Sequence, residues 1–111
     1  MRVVQVKHFL NAEGLAYFYN EWYPRVKTVL KEQEGYVSIT HQAVVEDLSC
    51  IYLILIFKDE PLLMQWVNTP LHQSLLDALE PYRTRDWLWA AYDSDTFDIL
   101  EEPLAWESVP I

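Results

Sequence analysis

Residues 50–57 read CIYLILIF, the longest apolar run of the chain. Apolar side chains occupy both alternating faces of this run, which is typical of a β-strand covered on its two sides. The preceding segment, Tyr36 to Val45, alternates like a strand, and Glu46 to Ser49 read as a turn. The pattern predicts a β-hairpin whose second strand lies in the middle of a sheet.

Helix signals flank this hairpin on both sides. Asn11 is the predicted N-cap of a long helix. Pro24 predicts a kink or a short break within this helix, and Gly35 is predicted to end it. After the hairpin, Asp59 and Thr69 are predicted caps of two consecutive helical segments. Each of these two caps is followed within two residues by a proline, which the first turn of a helix tolerates.

Two further strands complete the pattern, at Arg2 to Phe9 and at Arg83 to Tyr92. The order strand, helix, strand, strand, helix, strand predicts an α+β, ferredoxin-like βαββαβ fold. Its four-stranded antiparallel sheet carries the helices on one face, with the first and third strands central. Residues 1–93 form this domain. Residues 94–111 form an acidic tail without lysine or arginine.

The helix-free face of this sheet still carries apolar side chains. In a lone subunit it would be a large exposed apolar patch, and such patches usually mark an interface. We therefore expect a homodimer in which two sheets face each other, with the tail packed on the partner subunit.

Charge and composition disfavour several classes of partner. The chain has 17 acidic and 8 basic residues and a net charge of −9, which argues against nucleic acid and against anionic membranes. There is no signal-peptide pattern and no apolar run long enough for a membrane helix. A single cysteine, Cys50, fits a reducing compartment, so we expect a cytoplasmic protein. Spacings typical of metal ligands are absent, and no metal site is expected.

Three segments resemble antibiotic biosynthesis monooxygenase-type domains. Residues 31–39, KEQEGYVSI, match the join between first helix and second strand; residues 55–66, LIFKDEPLLMQW, match the passage from third strand to helix; residues 69–73, TPLHQ, match a frequent S/T-P-x-H element. The resemblance spans residues 2–93. It implies a dimeric α/β barrel with a pocket between each sheet and its own helices. It also implies a monooxygenase that oxidises a small planar quinol- or phenol-like aromatic with O₂ and no cofactor.

Six residues are candidates for this pocket. His8, at the end of the first strand, is the predicted catalytic base, and His72, in a helical first turn that disfavours its protonation, is the second catalytic candidate. Aromatic side chains would hold a planar substrate by stacking, and the predicted substrate-binding residues are Phe18, Trp22, Trp66 and Trp87. The same residues fit core packing or solvent exposure. Arg83 reads either as a clamp for an anion or as the partner of an acid such as Glu80.

Two other functions are open. The barrel could be a non-enzymatic ligand-binding or assembly module whose pocket is filled by its own side chains. It could also be a haem-binding or haem-degrading protein, since a haem-degrading branch resembles the same fold. That branch has Asn on the first strand, where this chain has His8, and its Trp/His spacing differs from that of Trp66 and His72.

Overall fold

The computed structural model describes residues 1–95 and 106–108. Its elements in chain order are β1 Arg2–Phe9, α1 Ala12–Tyr17, a π-helical segment Phe18–Trp22, α2 Tyr23–Leu30, β2 Tyr36–Val44, β3 Asp47–Phe57, α3 Glu60–Val67, α4 Pro70–Asp77, a 3₁₀ turn Glu80–Tyr82, β4 Leu88–Asp93 and β5 Glu107–Ser108.

The strands form one antiparallel sheet in the order β2-β3-β1-β4-β5. The first four strands confirm the predicted ferredoxin-like α+β fold, with β1 and β3 at the centre. The two-residue β5 pairs with β4 of the same chain, at Leu88↔Ser108 and Trp89↔Glu107. The described end of the tail thus lies on its own subunit. The rest of the predicted tail, residues 96–105 and 109–111, lies outside the described residues, so its place on a partner stays a prediction.

The three predicted helix caps are confirmed. In each, a short polar side chain accepts a hydrogen bond from a first-turn amide that has no partner within the helix. The bonds run from Gly14 N to Asn11 Oδ1 (2.8 Å), from Leu62 N to Asp59 Oδ1 (3.0 Å) and from His72 N to Thr69 Oγ1 (3.2 Å).

The helix that contains Pro24 does not break, because α1, the π-helical segment and α2 follow one another without a gap. Proline has no amide hydrogen and its ring crowds the carbonyl four residues earlier, at Asn20. The chain absorbs this in the π-helical segment just before the proline, where the Tyr23 amide donates to the Phe18 carbonyl five residues back. A π-turn adds one residue per turn and so moves the Asn20 carbonyl away from an i−4 pairing. The helical path continues to Leu30.

Three predicted boundaries were wrong. The first helix ends at Leu30, and Gly35, at φ 84°, instead forms the tight entry into β2. β3 begins at Asp47, three residues before the predicted start. β4 begins at Leu88 and not at Arg83, which makes only an isolated bridge to Leu10. Residues 84–85 form a bend and residues 86–87 pair with no strand, so alternation alone overextended this strand.

The sheet separates two buried layers. On the helix side, apolar residues of β1 and β3 pack against all the helices. On the opposite face, side chains are also buried within the single chain: Val3, Gln5, Cys50, Tyr52 and Ile56 are each at most 4% exposed. Trp106 packs edge-on against Tyr52 at 5.6 Å between ring centroids, under the ammonium group of Lys7. The prediction that this face is a large exposed apolar patch in a lone subunit is therefore wrong. The homodimer that was inferred from it is not tested by this finding.

Candidate functional site

A cavity of about 550 Å³ lies between the sheet and the helices. This volume is in the range of small-molecule sites. Its walls are mostly aliphatic and aromatic, with few polar groups; they include Val4, Val6, Leu53, Leu55, Leu63, Leu75, Trp89 and Ala91. The cavity therefore suits an apolar ligand that a small number of polar side chains orient.

Five of the six predicted site residues lie in the wall of this cavity: His8, Trp22, Trp66, His72 and Trp87. Phe18 does not. It is fully buried and stacks behind Trp22, with ring centroids 5.2 Å apart and an interplanar angle of 25°. The two residues are one helical turn apart, so they share a face, but Phe18 lies farther toward Tyr23 and His41 than the cavity reaches. Phe18 supports the wall and cannot touch a ligand there.

The indole of Trp22 is held in place by a helix end. Its Nε1–H donates to the Leu75 carbonyl at 2.7 Å, in a buried hydrogen bond. Leu75 lies in the last turn of α4, where carbonyls have no amide partner within the helix. One bond thus satisfies a buried donor and a buried acceptor and joins the π-helical segment to α4.

The break between α3 and α4 brings Trp66 and His72 together. Thr69 caps α4 through the His72 amide, and its hydroxyl also donates to the Trp66 carbonyl at 2.7 Å. The chain turns at residues 68–69, and the His72 ring meets the indole of Trp66 edge-on, at 5.5 Å and 82°. Trp66 is buried and His72 is half-buried.

His8 is buried beside a cation. Arg83 Nη1 lies 2.9 Å from His8 Nδ1, and the guanidinium can only donate, so Nδ1 accepts. The neutral imidazole then carries its hydrogen on Nε2, for which the described residues offer no acceptor. Burial and then the charge of Arg83 lower the pKa of His8 to about 3. His8 is therefore a hydrogen-bond donor toward the cavity, and the predicted role of catalytic base does not fit its chemistry.

His72 has the complementary character. Burial lowers its pKa, so the ring is neutral near pH 7. A hydrogen bond to the backbone of Val67 partly opposes this shift. Because that bond favours the protonated form, the imidazole donates it and the carbonyl accepts. A neutral imidazole has a lone pair on one ring nitrogen, and the pKa of His72 is lowered by burial without the charge of an adjacent cation, which makes His72 the better base of the two histidines.

Acidification is expected to destabilise the protein through His8. The unfolded imidazole takes a proton below about pH 6.5, whereas the folded one, with its pKa lowered to about 3, stays neutral. The unfolded state binds more protons in this window, so stability falls as pH falls, by at most about 1.4 kcal/mol per pH unit from this group. Urea unfolding near pH 7 and near pH 5 measures the slope. His8→Gln, which cannot titrate, is expected to flatten it; an identical slope in both proteins would contradict the assignment.

Sequence reasoning missed the contact between Arg83 and His8. The predicted pairing of Arg83 with Glu80 is confirmed, at 3.0 Å between Nε and Oε1. The two residues in contact are 75 positions apart, and the link forms because the Leu10↔Arg83 bridge places this arginine beside the end of β1. An arginine directly after a helical segment and near a proline carried no signal of this pairing.

Two charged residues that the sequence reading did not single out stand in the cavity wall, Arg2 and Glu60. Their side-chain atoms are 3.9 Å apart, and a second carboxylate, Asp93, lies 3.5 Å from the same guanidinium. Glu60 and Asp93 are well exposed, so these ion pairs contribute little to stability. They make one part of the wall polar, away from the neutral histidines.

No helix among residues 1–95 and 106–108 has the length and apolar content needed to cross a membrane. Within the same residues, no three His, Cys, Asp or Glu side chains cluster as metal ligands would.

No family model matches the chain, and no curated protein matches it. Solved structures do. The chain is similar to an antibiotic biosynthesis monooxygenase at TM-score 0.73 and 14% identity, over 86% of this chain and 100% of that one. It is similar to SnoaB, a cofactor-independent oxygenase from Streptomyces nogalater, at 0.70 and 16%, over 88% and 97%. A conserved protein from Methanosarcina mazei Go1 matches at 0.73 and 16%, over 82% and 89%. The chain has the ferredoxin-like α+β fold of antibiotic biosynthesis monooxygenase-type domains.

Proposed function

We propose that this protein is a cofactor-independent monooxygenase that oxidises a small planar phenol- or quinol-like aromatic with O₂. The observation that carries the proposal is the pair of neutral histidines of opposite character, His8 and His72, in the wall of one aromatic-lined cavity. Structural neighbours named as monooxygenases, one of them cofactor-independent, support the same reaction class.

The proposed chemistry begins with a proton transfer. The free nitrogen of His72 takes the proton of a phenolic hydroxyl, and Nε2–H of His8 donates to an oxygen on which negative charge develops. The electron-rich anion then passes an electron to O₂, and the two radicals combine at a ring carbon. Loss of water completes the step. A naphthol plus O₂ thus becomes a naphthoquinone plus water, with both atoms of O₂ accounted for.

The aromatic wall supports a planar substrate. Trp22, Trp66 and Trp87 present indole rings to the cavity, and rings of this kind favour flat aromatic ligands by stacking and apolar contact. The buried hydrogen bond of Trp22 to α4 and the packing of Trp66 against His72 hold two of these rings in place. A site whose walls are already ordered loses little entropy when it binds.

Oxygen uptake with a panel of naphthols and hydroquinones tests the proposal. We expect at least one planar phenol to be consumed together with one equivalent of O₂, and saturated alcohols of equal size to give no rate. Binding is measured separately under argon, from the quenching of tryptophan fluorescence. Ligand binding without any oxygen consumption would contradict the proposed monooxygenase activity and would favour the non-enzymatic binding module.

Haem binding is the remaining alternative. The ring nitrogens of His8 are a hydrogen-bond acceptor and an N–H donor, so this residue offers iron no lone pair unless its bond from Arg83 is lost. His72 has a free lone pair and is the residue that would ligate iron. Titration with haemin separates the cases, because a Soret shift that His72→Phe abolishes would favour haem over a phenol.

The homodimer stays a prediction, which now depends on the resemblance to dimeric α/β barrels alone. Its original reason fails, since the helix-free face of one subunit is buried within that subunit. Light scattering at micromolar concentration measures the mass directly. A mass of twice 13.2 kDa is expected, and a monomer mass would contradict it.

A further inference from the structure

Arg83 is a buried cation one layer behind the cavity. Its side chain is 3% exposed and does not belong to the cavity wall. Three of its polar atoms are engaged: Nη1 with His8 Nδ1 at 2.9 Å, Nε with Glu80 at 3.0 Å and Nη2 with the Leu76 carbonyl at 3.5 Å. The guanidinium also lies 5.9 Å from the ring centroid of Trp87, which shares the cavity wall with His8.

The contact between Arg83 and His8 determines which tautomer of His8 faces the cavity. A neutral imidazole has two tautomers, one with its hydrogen on Nδ1 and one with it on Nε2. A guanidinium N–H directed at Nδ1 is compatible only with the Nε2–H tautomer, because the other would place two donors against each other. A fixed positive charge beside the ring also opposes a second proton and strengthens Nε2–H as a donor.

A surface ion pair would not need this geometry. Arg83 and Glu80 are three residues apart, and Glu80 is 40% exposed, so the pair alone would form at the protein surface. The structure instead buries the guanidinium and directs its Nη1 at the histidine of a distant strand. The isolated bridge between Leu10 and Arg83 sets the backbone for this contact.

We propose that Arg83 is a positioning residue that locks His8 in the neutral Nε2–H tautomer and so gives the cavity a permanent hydrogen-bond donor. The inference rests on the proposed function for the catalytic use of that donor. The tautomer itself is a property of the free protein. Glu80 in turn positions Arg83, because its carboxylate accepts from Nε of the guanidinium while His8 contacts Nη1.

The first test is nuclear magnetic resonance of the ¹⁵N-histidine-labelled protein without any ligand. The chain has only three histidines, and His8→Gln and His72→Phe identify the signals of two of them. We expect long-range ¹H–¹⁵N correlations to show His8 as Nε2–H in the wild type. In Arg83→Met, which keeps length but removes charge and donors, we expect a large Nδ1–H population. Arg83→Lys restores a donor and should restore the wild-type pattern.

Several outcomes would contradict the proposal that Arg83 fixes the tautomer of His8. They are an Nδ1–H or a charged His8 in the wild type, or an Arg83→Met spectrum identical to that of the wild type. If Arg83→Met does not fold, the tautomer of His8 in the wild type and in Arg83→Lys still tests whether a donor at position 83 fixes the Nε2–H form. These spectra need no substrate, so their result does not depend on whether the protein is a monooxygenase.

The second test separates positioning from a merely structural role. With the best substrate of the panel, Arg83→Met is expected to lower kcat about 100-fold, as loss of a partner that orients a catalytic group does, with KM nearly unchanged. Arg83→Lys is expected to recover most of that loss. A fall in stability with unchanged kcat would assign Arg83 to the fold alone.

Discussion

Replacement of His72 by Phe is expected to lower the rate of oxygen consumption by about 100- to 10,000-fold, the usual contribution of a general base. Phe fills a similar volume and keeps an aromatic edge against Trp66, so the cavity wall and the α3–α4 break should persist. The change removes the lone pair that would accept the phenolic proton. It also removes the contact with the Val67 backbone, which in the wild type partly opposes the lowered pKa of His72.

His41→Phe is the matched control for this change. His41 is exposed on β2, contacts Tyr23, and is not part of the cavity wall. Its replacement is expected to leave the rate within about twofold, as for most surface changes away from a site. Substrate binding to His72→Phe, followed by fluorescence under argon, should persist. A His72→Phe protein with the wild-type rate would exclude His72 as the base.

Replacement of Phe18 by Ala is expected to lower the free energy of unfolding by about 3–5 kcal/mol. Phe18 is fully buried in the π-helical segment, and its ring contacts those of Trp22, Tyr23 and His41. Truncation leaves a cavity that the surrounding helices can fill only in part. Trp22 would also lose the ring behind it, so binding of planar ligands is expected to weaken together with stability.

Tyr19→Ala is the matched control in the same turn. Tyr19 is 41% exposed and touches Phe18 only edge-on. Its truncation is expected to cost about 1 kcal/mol, the centre of the distribution for single substitutions. Urea unfolding followed by tryptophan fluorescence measures both variants. Equal losses in the two would show that the π-helical segment does not depend on Phe18 for its packing.

The local signals in the sequence were reliable where one residue determines its own surroundings. The caps Asn11, Asp59 and Thr69 all act as predicted, because a side-chain oxygen two or three residues before a free amide needs no distant partner. The apolar run over residues 50–57 lies in a central strand for a similar reason: a strand with two apolar faces has no stable place at an edge.

Expectations that depended on distant residues were less reliable. The predicted exposure of the helix-free face ignored what the rest of the same chain could cover, and Trp106 over Tyr52 is one such contact. Phe18 and Trp22 shared one predicted role, yet only the packing of whole elements determines which of two rings on one face reaches the cavity.

The order of the strands and helices, and the grouping of Val4, Val6 and His8 on one strand face, follow from the chain's own periodicity, since alternation and helical spacing are local properties. Only the folded protein shows that this face is the one the helices cover. The chemistry of His8 does not follow from periodicity either. Whether an imidazole is a base or a donor depends on the charge and the hydrogen bond beside it, and Arg83 reaches it only when residues 75 positions apart meet in the folded protein.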